Sequence, residues 1–219
     1  RFFGATVIPG GVNFTIQSHG ATSCELLLFH RDAEDPFAAL KFPDNYKIGF
    51  VYSMIVFGLD IEEFEYAYRL DGPYDEKKGL RFDKTKILLD PYARAVTGQS
   101  QWGCKNNPQH SYRARVVQNN FDWGLERSEP IPMEDLIIYE LHVRGFTKSP
   151  SSGVSCPGTF KGLEEKIPYL KKLGINAVEL MPVFEFDEMR DARLIDDNEL
   201  LDYWGYNPVC FFAPNTSYS

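Results

Sequence analysis

The sequence predicts a multi-domain protein of the β plus α/β class, in which an antiparallel β-sandwich precedes an α/β region. Apolar and polar residues alternate over the first hundred residues, the stretch 103–134 is polar without a sustained period, and a strand–helix–strand pattern follows from residue 136. A period of two indicates half-buried strands, whereas an apolar run followed by a helical stripe indicates a βαβ unit. With 219 residues, the chain is long enough for two small domains or one large one.

Four segments of the first hundred residues indicate short strands. Alternation is clearest in GVNFTIQS (11–18) and FEYAYRL (64–70), and SCELLLFH (23–30) and VYSMIVFGL (51–59) add two more. The side chains predicted to share buried faces are Val12, Phe14 and Ile16 in one strand and Phe64, Tyr66 and Tyr68 in another. Turn signals in PGG (9–11) and DGPY (71–74) separate the strands, which is typical of an antiparallel sandwich.

The α/β region begins with LIIYELHV (136–143), whose near-continuous apolar run predicts a parallel strand covered on both faces. NAVELMPVF (176–184) predicts a second strand of this kind. The intervening segment 160–174 predicts a helix with one apolar stripe, formed by Leu163, Ile167, Leu170 and Leu173. Lys171 and Lys172 suit its C-terminus and Gly174 its C′ position, while Pro168 either starts the last turns or kinks the helix.

Composition excludes several classes of function. A net charge of −8 argues against a nucleic-acid ligand, and the sequence has no apolar run of the length that a membrane span needs. The cysteines are too scattered for a zinc site and are interpreted as reduced thiols, which makes the cytoplasm the expected location; they are Cys24, Cys104, Cys156 and Cys210. Aromatic residues form 15% of the chain, and such rings serve for burial or for stacking on flat ligands.

Three blocks of the second half resemble the start of the catalytic barrel of glycoside hydrolase family 13, the α-amylase family. They are IIYELHVRGFT, KIPYLKKLGINAVELMPVFEF and DYWGYNPVCFFAP. In the first half, FEYAYRLDGPYDEKKGLRFDKTKILLDPYARAV resembles the end of a family 48 carbohydrate-binding module, and the combination is most similar to glycogen-debranching enzymes of the isoamylase type. The resemblance implies an immunoglobulin-like sandwich over 1–102, a linker over 103–134, and the first β/α units of an incomplete TIM (β/α)₈ barrel over 135–219.

The resemblance also implies a function, which is hydrolysis of α-1,6 branch linkages in glycogen or a related α-glucan by a retaining mechanism. The expected binding partner is an α-glucan, which is glycogen, amylopectin or a maltooligosaccharide. The nucleophile and the acid of this family lie on later barrel strands, so we expect no catalytic residue here, no activity of the 219 residues alone, and a need for the remainder of the barrel in cis. No cofactor and no metal are expected. Alternatives in the same family are a pullulanase, a branching enzyme or a trehalose-forming hydrolase, and a noncatalytic glucan-binding protein is an alternative from another class.

Within the resemblance, Tyr206 matches the aromatic ring that stacks on the sugar next to the scissile bond, and Trp204 and Asn207 are expected to line the same site. Tyr203, Phe211 and Phe212 are expected to pack, and His142 to be structural, positioning Arg144. For Trp102, Trp123 and Tyr74, packing is favoured over a glycan platform. Glu179 is placed within the second predicted strand, and the carboxylates from Glu185 to Glu199 in the loop after it. A solvated acidic loop is favoured over a catalytic acid–base pair and over a calcium site in residues 191–202.

Overall fold

The computed structural model describes residues 3–98, 101–104, 112–118, 120–124 and 130–219. By their contacts the residues form two compact units. The sandwich unit comprises Arg1–Gly98, Lys105–Gln118 and Cys210–Ala213, and the α/β unit comprises Gln99–Cys104, Asn119–Val209 and Pro214–Ser219. No helix in the described ranges is both long enough and apolar enough to cross a membrane.

Two antiparallel sheets form the sandwich unit. The four-stranded sheet has the order β1-β2-β6-β5 and contains β1 (Gly4–Ile8), β2 (Gly11–Gln17), β6 (Val51–Phe57) and β5 (Lys47–Ile48). The five-stranded sheet has the order β10-β11-β7-β3-β4 and contains β10 (Ala95–Thr97), β11 (Arg113–Arg115), β7 (Phe64–Asp71), β3 (Ser23–His30) and β4 (Ala38–Lys41). A small hairpin of β8 (Tyr74–Asp75) and β9 (Leu80–Arg81) follows β7. The predicted sandwich is therefore confirmed.

Alternation along the strands builds the core of this unit, as the sequence predicts. Phe14 and Tyr66 are fully buried, and their rings meet edge to face with centroids 5.1 Å apart. The predicted turn at residues 9–11 joins β1 to β2 with Ile8 opposite Gly11, and Gly10 supplies the positive φ of +78° that such a tight hairpin requires.

One strand of the sandwich lies in the segment that the sequence predicts to be a linker. β11 pairs with β10 and, through Ala114 and Tyr66, with β7. A strand of three residues is too short to show a period in the sequence, so its partners, and not its own pattern, decide its structure. Conversely, Trp102, which ends the predicted sandwich range, belongs to the α/β unit.

The α/β unit contains the predicted pair of parallel strands, β12 (Ile138–Leu141) and β13 (Ala177–Leu180), with Ile138 opposite Ala177. The helices between them are α1 (Val143–Thr147), α2 (Phe160–Glu165) and α3 (Ile167–Leu173), and Gly174 closes α3 with a φ of +91°. Instead of one helix over 160–174 the structure has two, because Pro168 lies in the first turn of α3, where its missing N–H costs nothing.

Coverage of these elements is lower than predicted. Ile138 and Val178 are 54% and 46% exposed, so the expectation of two covered strand faces is wrong for the described residues. On the predicted helical stripe Leu170 is buried, whereas Ile167 and Leu173 are about half exposed. The apolar pattern predicts burial of these side chains, but the short helices cover only part of their apolar surface.

Four further strands lie in the second half of the chain. They are β14 (Phe184–Phe186), β15 (Arg193–Ile195), β16 (Asn198–Leu200) and β17 (Pro208–Pro214). β15 and β16 form a hairpin whose two loop residues, Asp196 and Asp197, both have positive φ, as a type I′ turn requires. The centre of β17, Cys210–Ala213, belongs to the sandwich unit, although the sequence assigns it to the barrel.

Candidate substrate-binding site

The loop after β16 presents the three residues that the sequence predicts to bind substrate. Asp202 opens it, because its Oδ1 accepts hydrogen bonds from the backbone N–H of Trp204 at 3.2 Å and of Gly205 at 3.3 Å. Its own N–H donates to the carbonyl of Glu188 at 2.9 Å. An aspartate that binds the backbone two and three residues ahead fixes a tight turn without help from a neighbouring strand.

Gly205 determines how the loop passes the core of the α/β unit. Its φ is +79°, and a Cβ at this position would lie 2.5 Å from the ring of Phe186. Phe186 is fully buried, so its ring cannot move aside easily. The backbone therefore lies directly on the buried ring at Gly205, which leaves no room for a side chain there.

The side chains of Tyr206 and Trp204 are the exposed rings of the loop, with 70% and 53% of their surface accessible. Trp204 contacts the rings of Tyr203 and His142 edge-on at 5.0 Å and 6.3 Å. No ring contact is recorded for Tyr206 among the described residues. One face of such an aromatic ring suits the C–H face of a sugar, because the contact requires no charge.

Asn207 follows with an unusual side chain. Its amide oxygen and nitrogen are both shielded from solvent, and neither has a hydrogen-bond partner among the described residues. Buried amide groups are nearly always paired in folded proteins, so this amide is an unusual feature of the loop. Because its atoms are shielded from solvent, a ligand could reach them only after neighbouring residues move.

His142 contacts the loop through Tyr203. Its ring stacks on that of Tyr203, with centroids 4.0 Å apart and planes 9° from parallel. Nδ1 accepts from the N–H of Gly145 at 3.1 Å and Nε2 lies 2.7 Å from the carbonyl oxygen of Tyr203. Burial lowers the pKa of His142, so the ring is neutral near pH 7 and Nε2 carries the proton that it donates to Tyr203.

Trp102 belongs to a cluster of aromatic rings around the contact between His142 and Tyr203. The indole stacks on the buried ring of Tyr218 at 6.0 Å and meets Phe186 edge-on at the same distance, while the guanidinium of Arg144 lies 4.6 Å above it. The expectation that Trp102 packs is therefore confirmed. Tyr203 also packs, through His142, as predicted.

The prediction of a solvated acidic loop is wrong for two carboxylates, Glu185 and Glu188, which are fully buried. Glu185 accepts from the N–H of Thr216 at 2.6 Å and from its hydroxyl at 3.2 Å, and Glu188 accepts from the N–H of Gly103 at 2.8 Å. Burial raises the pKa of Glu185 to about 7 and, with backbone bonds opposing it, also raises that of Glu188. Sequence reasoning missed both, although Glu185 stands between two phenylalanines.

These two carboxylates tie the chain together and do not form a hydrolytic pair. Each accepts from the backbone of a distant segment, and neither opens to solvent. Asp191, Asp196, Asp197 and Glu199 lie on or beside the β15–β16 hairpin and are exposed, as predicted, whereas Asp187 is half-buried. Among the described residues no group of three histidine, cysteine, aspartate or glutamate side chains could hold a metal ion, so the calcium alternative has no geometric support there.

The remaining aromatic candidates are exposed. Trp123 and Tyr74 have 85% and 66% of their surface accessible, which contradicts the expectation that they pack. Phe211 and Phe212 are 67% and 61% exposed, and of these Phe212 stacks on Tyr92 at 5.8 Å within the sandwich unit. Trp123 contacts only Phe121 among the ring pairs of the described residues, with centroids 4.7 Å apart.

Comparison with known proteins identifies the first of the two regions. Residues 2–93 match the family model of carbohydrate-binding module 48, described as the isoamylase N-terminal domain. The match covers the strands β1 to β9, which agrees with the sandwich described above and confirms the resemblance drawn from the sequence.

Relatives extend the similarity over both units. The chain is 35% identical to isoamylase 1, chloroplastic, of Arabidopsis thaliana. The alignment covers 99% of this chain and 29% of the isoamylase. The chain is 34% identical to the glycogen debranching enzyme of Yersinia enterocolitica over 95% of its length, or 32% of that protein. The chain therefore spans about a third of the length of the curated relatives it matches.

Solved structures confirm the fold. The crystal structure of a pullulanase from Anoxybacillus sp. LM18-11, complexed with maltotetraose, superposes on 99% of the chain with a TM-score of 0.73 and 26% identity, and 30% of that chain is covered. A sandwich module followed by the start of a barrel is thus the fold of this chain, as the sequence predicts.

Proposed function

We propose that this chain is part of a larger glycoside hydrolase that cleaves α-1,6 branch linkages of glycogen or a related α-glucan with retention of configuration. The observation that supports this most directly is the 34–35% identity to an isoamylase and to a glycogen debranching enzyme along nearly the whole chain. The catalytic carboxylates lie outside the 219 residues in this proposal, and the ranges 1–102, 103–134 and 135–219 are its module, linker and barrel start.

The part played by this chain in the reaction is to position the glucan. Tyr206 offers an exposed ring, Trp204 a second exposed ring two residues earlier in the loop, and Asn207 an amide that has no partner among the described residues but is shielded from solvent. A ring that holds one sugar residue in place also orients the neighbouring glycosidic bond. This lowers the entropic part of the activation barrier, because the orientation is fixed on binding. The rigid supports are Gly205 on Phe186 and Tyr203 on His142, which fix the loop before any ligand arrives.

The test uses the full-length protein that contains this chain. Reducing ends released from glycogen β-limit dextrin would report branch cleavage, and linear maltohexaose, which has no α-1,6 bond, is the substrate control. We expect Tyr206→Ala to lower kcat/KM on the dextrin about tenfold and Tyr206→Phe to keep most of it, because the ring face and not the hydroxyl makes the contact. Phe37→Ala, which removes a 46% exposed ring in the sandwich unit, is the matched control.

Other outcomes separate the alternatives. Cleavage of pullulan with little action on glycogen would indicate a pullulanase, chain transfer without new reducing ends a branching enzyme, and release of trehalose a trehalose-forming hydrolase. Initial products in the β configuration by proton NMR would contradict the retaining mechanism. Binding of glycogen with no chemistry at all would favour a noncatalytic glucan-binding protein, for which the family 48 match is the supporting observation.

The proposal includes a cytoplasmic location. Cys24, Cys104, Cys156 and Cys210 are all thiols in the structure, as expected for a reducing compartment. Several plant relatives carry the word chloroplastic in their names, so a plastid is the competing location. Microscopy of a tagged full-length protein in its source cell would distinguish the two.

A further inference from the structure

We propose that the outer face of the four-stranded sheet carries a second glucan-binding site, separate from Tyr206. The site is a groove, called here the sheet groove. It lies between the exposed faces of β2 and β6 and the short 3₁₀ segment Asp44–Tyr46. It encloses about 600 Å³, which is within the size range of small-ligand sites. The inference rests on the proposed function only for the identity of the ligand.

The floor of the sheet groove is a closed set of hydrogen bonds. Asn13 Nδ2 donates to Thr15 Oγ1 at 3.1 Å, Thr15 Oγ1 and Ser53 Oγ share a bond of 2.8 Å, and the Ser53 hydroxyl donates to Asn13 Oδ1 at 3.1 Å. Thr15 and Ser53 stand directly opposite each other in the pairing of β2 with β6. The ring of bonds fixes three polar side chains in one orientation, and each retains capacity for a further bond.

The walls of the groove are apolar and exposed. Tyr46 and Phe57 have 46% and 68% of their surface accessible, and Ile48 and Ile55 have 68% and 46%. The core of the sandwich uses the other face of the same strands, where Val12, Phe14 and Ile16 are buried, so these four side chains contribute little to the core. Three large apolar residues on strands, with Tyr46 on the adjoining turn, form an exposed apolar patch of the kind that marks a binding surface.

The chemistry of the groove fits a neutral, polyhydroxylated ligand. Every side chain that lines it is uncharged, so it offers nothing to a phosphate, a nucleic acid or an acidic peptide. An α-glucan has hydroxyl edges that amides and hydroxyls can bind and C–H faces that Tyr46 and Phe57 can cover. The polar floor distinguishes the groove from a purely apolar docking face, which would leave Asn13, Thr15 and Ser53 desolvated without new partners.

Methyl NMR of the full 219-residue chain tests the site directly. With ¹³C-labelled isoleucine δ1 methyls, Ile48 and Ile55 report on the groove, Ile16 in the sandwich core and Ile138 in the α/β unit serve as internal controls, and Ile55→Leu assigns the key signal. We expect maltoheptaose to shift the Ile48 and Ile55 signals in a saturable way and the β-linked cellohexaose to leave them unchanged. Unchanged Ile48 and Ile55 signals at millimolar maltoheptaose would overturn the inference.

Two variants then establish what the walls contribute. Tyr46→Ala and Phe57→Ala remove exposed rings that touch little of the core, and each is expected to weaken maltoheptaose binding at Ile55 about fivefold. Phe37→Ala matches Tyr46→Ala in the exposure of the lost ring and should leave that affinity unchanged. Equal affinity in all three variants would show that the rings of the groove do not hold the glucan.

The outcomes for the groove and for the proposed function are independent. If the full-length protein cleaves branches and the groove methyls stay silent, only the present inference fails. If the methyls respond and no branch is cleaved, the hydrolase proposal fails and the sheet groove stands. Tyr206→Ala should lower branch cleavage without changing the response of Ile55, since the two sites are on different units.

Discussion

The two units of this chain are stabilised in different ways. The sandwich unit buries a continuous apolar core between its sheets, whose members include Phe14, Leu26, Leu28 and Tyr66. The buried cluster of the α/β unit is small, consisting of Val143, Phe186 and Tyr218 with a few partly buried neighbours, and buried carboxylates and a histidine tie its segments together. The sandwich unit also buries carboxylates, Glu65 and Asp90, so the units differ in the size of the apolar core and not in the presence of buried charge. Mutations test the difference in apolar packing, and pH tests individual carboxylates.

The largest effect is expected in the sandwich core. Phe14→Ala should lower the free energy of unfolding by about 4 kcal/mol, because it leaves a cavity among fully buried side chains. Urea unfolding followed by circular dichroism measures the loss. All three tryptophans, Trp102, Trp123 and Trp204, belong to the α/β unit, so tryptophan fluorescence reports that unit separately.

A matched change in the α/β unit sharpens the comparison. Leu173→Ala removes a side chain that is 52% exposed and should cost less than about 1 kcal/mol. If Leu173→Ala proved as costly as Phe14→Ala, the apolar contacts of the two units would not differ as described.

The next effect concerns Glu185, whose pKa burial raises to about 7. Its pKa is higher in the folded than in the unfolded chain, so its contribution to stability is fully present below about pH 4.3 and is lost as pH rises to about 7. The loss over that interval is on the order of 3 kcal/mol. In Glu185→Gln the amide oxygen can still accept from the Thr216 N–H, and the amide NH2 can donate to the Thr216 hydroxyl oxygen, so the variant should remove this dependence on pH.

Urea midpoints by tryptophan fluorescence at several pH values between 4 and 8 check the Glu185 prediction, with Glu164→Gln, at an exposed carboxylate of α2, as the control. His142 acts in the opposite direction, because burial lowers its pKa and protonation below about pH 6.5 favours the unfolded state. A dependence on pH that Glu185→Gln leaves intact would assign it to other groups.

A smaller effect is expected at Gly205. Gly205→Ala places a Cβ against the ring of Phe186 and forces a residue with a side chain to adopt a φ of +79°, which should cost about 2 kcal/mol. The change in fluorescence of the neighbouring Trp204 would show whether the loop moves. Gly153→Ala also has a positive φ, of +65°, but its Cβ would meet nothing within 4 Å, so it separates backbone strain from the clash. Equal losses would contradict the role of Phe186.

The smallest effect is predicted at the candidate site itself. Tyr206→Ala removes a ring that is 70% exposed, so the free energy of unfolding should change by less than about 0.5 kcal/mol while branch cleavage falls. Thermal unfolding of the variant beside the parent chain measures this. A loss of more than about 1 kcal/mol would mean that the ring supports the loop and is not held ready for a ligand.

The sequence by itself determined the hydrophobic patterns that distinguish the two units of the chain. Alternation at residues 12–16 and 64–68 predicted the buried faces of β2 and β7, and the apolar runs predicted the parallel pairing of β12 with β13. These predictions succeed because period and hydrophobicity are local properties of a strand. The resemblance to debranching enzymes was equally readable, because it depends on several blocks in order.

Only the tertiary structure decided which polar residues are buried and where short segments belong. Apart from the two phenylalanines beside Glu185, nothing local distinguishes Glu185 and Glu188 from their exposed acidic neighbours. The backbone N–H groups of Thr216 and Gly103, distant in sequence, make their burial tolerable. In the same way, β11 is a strand because β10 and β7 pair with it, and the sheet groove exists because β2, β6 and the turn at Tyr46 meet. Contacts between distant segments determine these features, and a local pattern does not contain them.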